Sequence, residues 1–89
     1  MTGHTCCPSA DAVLAGQEFI QWDKPICMIV SAISARVKAG DGYLKYGIDG
    51  WWEPTTYSAL VSWAAGCTTH TVRIAEGYKF LTISWTRKF

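Results

Sequence analysis

The segment Ile26-Cys-Met-Ile-Val-Ser-Ala-Ile-Ser-Ala-Arg-Val37 holds most of the longest apolar run in the chain, Pro25–Ile33, and its conformation decides the balance of strand and helix. An 89-residue chain buries only a thin core, so a run of this size cannot be left outside it. Ile26, Ile29, Val30, Ile33 and Val37 match a helical stripe, and Gly40 is placed to cap such a helix. Strand alternation also fits, with Ile29, Ile33 and Val37 on one face and Ser34, Arg36 and Lys38 on the other. The wealth of β-branched residues favours the strand. So does the sequel, "ARVKAGDGYLKYGI", which reads as a hairpin turning at Gly40-Asp41-Gly42.

The rest of the chain reads more simply. Residues 1–8 are irregular. "PSADAVLAG" suits a short helix with Ser9 as N-cap, Asp11 in the first turn and Gly16 at its end. Glu18–Trp22 reads as a short strand. "EPTTYSALVSWAAG" carries Tyr57, Leu60, Val61, Ala64 and Ala65 on one helical face, capped by Thr55 or Thr56 and ended by Gly66, with Trp63 to the side. The last third reads as a second hairpin turning near Glu76-Gly77, with Leu81, Ile83 and Trp85 sharing a face. The expected architecture is one α+β domain over residues 1–89. It has an antiparallel sheet of four to five strands, built from two hairpins and packed against one main helix, with a short N-terminal helix as an optional addition.

Charge excludes some functions. Eight Lys and Arg against seven Asp and Glu give a net charge of +1, unlike the basic footprint of most nucleic-acid binders. No apolar run reaches the ~18 residues that span a bilayer. "MTGHTCC" has neither the basic start nor the apolar stretch of a secretory signal, which points to the cytoplasm and reduced thiols.

Catalytic signatures are absent from the sequence. Its histidines are His4 and His70; His70 lies three residues from Cys67 in "CTTH", a spacing that does not make a nucleophile–base pair by itself. There is no phosphate-binding or dinucleotide motif. The expectation is a protein that is not an enzyme and needs no cofactor. Zinc is the one chemical rival. Cys6, Cys7, Cys67 and His70 (with His4) offer the ligand types of a tetrahedral site, against a disulfide or plain packing for the same residues; Cys27 lies in the apolar run and reads as core.

Five tryptophans in 89 residues exceed what the core needs. Trp51 and Trp52 follow Gly50, and adjacent residues of a regular strand cannot both enter one core. One of them is expected outside, where aromatic side chains serve as interface anchors. The candidate partner-binding set is Tyr43, Tyr46, Trp51, Trp52 and Trp63, rimmed by Arg36, Lys38 and Lys45. The resulting expectation is a small binding protein that occupies a partner protein's surface. In size and character, though by no motif, it is like the inhibitors that phages and mobile elements direct at multi-subunit host defence complexes, such as anti-CRISPR proteins. The alternatives are a zinc- or thiol-dependent protein and a carbohydrate- or single-strand nucleic-acid-binding module. An exposed sheet edge would also admit a homodimer.

Overall fold

The computed structural model describes residues 8–18, 25–48 and 53–88. Three helices and three strands follow in the order α1 (Ala10–Leu14), α2 (Pro25–Lys38), β1 (Tyr43–Gly47), α3 (Pro54–Ala65), β2 (His70–Glu76) and β3 (Phe80–Arg87). The strands form one antiparallel sheet in the order β1-β3-β2, with the helices against one face. The fold is α+β, but the sheet has three described strands rather than four or five, and two long helices stand where one main helix was expected. Glu18–Trp22 lies largely outside the described residues.

The apolar run is helix α2, not a strand, and this is the main correction. A strand would send alternate residues away from the core. A helix buries Ile29, Val30 and Ile33 almost completely together with Cys27, and brings Ile26 and Val37 against the same cluster. Its end is closed by paired backbone bonds. The Asp41 N–H donates to the Arg36 carbonyl at 2.9 Å and the Gly40 N–H to that of Val37 at 3.0 Å. Gly40 takes φ +87°, a left-handed value that only glycine adopts cheaply. The positive-φ glycine expected of a hairpin turn is thus a helix cap. The first hairpin does not exist, and β1 pairs instead with β3, Tyr43 opposite Ser84 and Gly47 opposite Phe80.

Helix α1 is capped by Ser9, whose Oγ accepts the Ala12 N–H at 3.2 Å. Helix α3 starts at Pro54 after Glu53 and has no side-chain cap, so Thr55 and Thr56 do not serve as one. Its buried stripe is Thr56, Leu60 and Ala64, one residue rotated from the expected face, which leaves Val61 and Ala65 exposed. The C-terminal hairpin turns over residues 77–79, with the Gly77 N–H donating to the Phe80 carbonyl at 2.8 Å. Leu81, Ile83 and Trp85 of β3 are buried under the helices beside Leu44.

Candidate functional site

Strand alternation divides the sheet into two unlike faces. Leu44, Tyr46, Val72, Ile74, Leu81, Ile83 and Trp85 point at the helices. The other face carries Tyr43 and Lys45 of β1, Phe80, Thr82, Ser84 and Thr86 of β3, and Thr71, Arg73 and Ala75 of β2. None of the described elements covers it. Tyr43 is 52% exposed and Phe80 46%. The Lys45 ammonium sits 4.1 Å from the centre of the Phe80 ring, a cation–π contact that holds both side chains on this face. Beside Tyr43 lies a shallow concavity of about 540 Å³, lined also by Arg73, Ala75, Thr82 and Ser84. The Thr82 hydroxyl donates to the Ala75 carbonyl at 3.3 Å. Lys45 and Arg73 are the charged strand residues on the face among the described residues, and the Asp41 carboxylate, just before β1, lines a neighbouring hollow with Tyr43 and Lys45.

The structure divides the residues expected to bind a partner. Tyr43 and Lys45 stand together on the open face, and Arg36 lies beside them, lining a second hollow with Asp41 and Gly42. Arg36 is paired with Asp41 at 3.2 Å. Lys38 is elsewhere, bonded to Glu18 at 2.8 Å. Tyr46 and Trp63 are half-buried and lie off the open face. Tyr46 has the wrong strand parity for the open face and packs against the core. Trp63 also packs there, and its indole Nε1–H donates to the Pro8 carbonyl at 2.8 Å, so it fastens the N-terminal segment to α3. Trp51 and Trp52 lie outside the described residues, as do Cys6 and Cys7.

Arg73 and Phe80 were missed in the sequence. The signal was there: if Leu81, Ile83 and Trp85 share the buried face, Phe80 and Thr82 must share the other. What could not be read was that β3 is central, which brings Arg73 and Tyr43 to either side of Ser84.

The "CTTH" stretch forms a second polar cluster. The Asp11 carboxylate accepts the Thr68 N–H at 2.7 Å, the Thr68 hydroxyl at 2.8 Å, the Thr69 N–H at 3.2 Å and the Thr69 hydroxyl at 3.3 Å. These donors, the Thr68 N–H foremost, hold its carboxyl well below the usual carboxylate range. Thr69 Oγ1 also lies 2.8 Å from His70 Nδ1 and 3.7 Å from Cys67 Sγ. Which of Thr69 Oγ1 and His70 Nδ1 donates in this contact is set by the histidine tautomer. Cys67 is buried as a thiol. Among the described residues no three His, Cys, Asp or Glu side chains come together as a metal site.

No protein-family model, curated protein or solved structure matches this chain.

Proposed function

We propose that this chain is a non-catalytic binding protein that docks on a partner protein through the open face of its sheet. The observation that carries this reading is the face itself: two exposed aromatic rings and the two cations Lys45 and Arg73, with the nearby Asp41 carboxylate already paired to Arg36. Aromatics supply contact area at low entropy cost, and like-signed charges select a partner surface of opposite sign. The partner surface is therefore acidic. The polar cluster at Asp11 supports a structural role for "CTTH", because its hydrogen bonds tie α1 to the start of β2. The finer form of the reading is a phage- or mobile-element-type inhibitor of a multi-subunit host complex, anti-CRISPR-like, acting in the cytoplasm. Small size and an aromatic surface support it, as do two cysteines held as buried thiols. Among the described residues no helix is long and apolar enough to cross a membrane.

A second reading is favoured by the floor of the concavity beside Tyr43. Thr82 and Ser84 are hydroxyls where a protein interface ordinarily places apolar side chains. A polar floor with Arg73 at its side and exposed rings on the same face also suits a single strand of nucleic acid, with bases stacked on Tyr43 and Phe80.

One set of variants tests both. Tyr43→Ala and Arg73→Ser alter exposed side chains and leave the fold intact. Affinity capture with the tagged chain, read by mass spectrometry, is expected to retain one stoichiometric partner that both variants lose. A partner held equally by both overturns the docking face; Trp51→Ala with Trp52→Ala then tests the other aromatic candidates. Salt-dependent binding of a fluorescent oligothymidylate, lost in the same variants, selects the nucleic-acid reading.

A further inference from the structure

We propose that the outer edge of β2 pairs with the same edge of a second copy of this chain, giving a two-fold dimer with one six-stranded sheet. This rests on the edge and not on the open face, so it stands or falls apart from the docking reading.

The hydrogen-bond parity shows which groups the edge offers. The Trp85 N–H donates to the Gly42 carbonyl on the β1 side, and the Lys88 N–H to the Thr69 carbonyl on the β2 side. Odd-numbered residues of β3 therefore bond β1, and even-numbered residues bond β2. Their partners Thr71, Arg73 and Ala75 are turned inward to β3. Val72 and Ile74 are turned the other way, and their N–H and C=O groups point outward along an edge that no described strand occupies.

Natural sheet edges are guarded by proline, charged side chains, bulges or a covering element. β2, "HTVRIAE", has no proline and pairs residue for residue with β3 over all seven positions without a bulge; its charges are Arg73, on the open face, and Glu76 at its end. Beside it on the helix side runs an apolar hollow of about 240 Å³ between α3 and β2, lined by Tyr57, Val61, Ala64, Val72 and Ile74. Val61 is 41% exposed there.

Charge identifies the occupant. Helix α3 carries no charged residue from Pro54 to Ala65, although much of it faces outward. A two-fold interface must complement itself, which an uncharged patch does and a patch of one sign does not. Antiparallel pairing centred on Arg73 sets Val72 against Ile74 of the second copy, twice. It matches all four outward N–H groups of these residues with carbonyls, and the two α3 helices flank the seam. Shifting the register by two residues leaves one apolar pair in place of two and sets the other residue against Glu76 or His70. The arrangement contains one repulsion: Arg73 meets its own copy on the open face.

Sedimentation equilibrium and amide hydrogen exchange test the dimer. The expected result is a monomer–dimer equilibrium, with the Val72 and Ile74 amides protected only as concentration rises while Arg73 and Ala75 stay protected throughout. Val61→Glu places like charges across the seam and is expected to weaken association about tenfold. Arg73→Thr removes the repulsion and is expected to tighten it about threefold. A chain that stays monomeric to about 1 mM overturns the proposal and leaves the edge to a foreign strand. A dimer that neither variant alters, or that leaves the Val72 and Ile74 amides exchanging freely, forms elsewhere and overturns it equally.

Discussion

Asp11 shows how much one side chain can organise here. It sits on a five-residue helix that could not persist alone, and it collects both N–H groups and both hydroxyls of Thr68 and Thr69. Its folded carboxyl is held below the ordinary value, so the stability it contributes is present above the unfolded pKa near 4 and is lost as pH falls below it. Asp11→Asn is expected to lower the melting temperature at pH 7, with the gap from the parent narrowing toward pH 3; thermal melts by circular dichroism across that range check it. Trp63 fixes the same N-terminal segment from the other side. Trp63→Phe keeps the ring against the core and removes the bond to Pro8, at an expected cost of about 1 kcal/mol in urea unfolding. The position of Trp63 beside the main stripe of α3 was legible from helical spacing. Its role was not, because its acceptor lies 55 residues away in sequence.

Among the elements, α2 is where local and tertiary preferences parted. Its β-branched residues favour strand locally, but only the helix puts Ile29, Val30 and Ile33 on one buried side. Ile33→Ala is expected to cost about 2–5 kcal/mol, as for other large-to-small changes in a closely packed core. Gly40 gives a cleaner test of the helix end. Nothing lies within 4 Å of where its Cβ would be, so Gly40→Ala carries the backbone penalty of φ +87° and no clash. The expected loss is about 1 kcal/mol by chemical denaturation; an unchanged midpoint would mean the helix does not end in this way. The second hairpin was readable because alternation and the Gly77 turn agree over its whole length.

At the scale of the whole molecule, the described helices lie on one face of the three-stranded sheet, and no described element covers the other. Lys45→Glu combined with Arg73→Glu reverses the sign of that face. The double variant is expected to hold its stability within about 0.5 kcal/mol per substitution, since both side chains are exposed, and to abolish partner binding; retained binding would move the interface off this face. The amino-acid sequence alone determined what depends on neighbours along the chain. It settled the α+β class, the helix after Pro54, and the alternation that buries Leu81, Ile83 and Trp85. Tertiary structure decided what depends on distant partners. It made the apolar run a helix, set β3 between β1 and β2, turned Trp63 and Tyr46 inward, and brought Arg73 and Phe80 beside Tyr43. A helical stripe and a strand alternation can be written in the same residues, and only the surface they are packed against selects one of them.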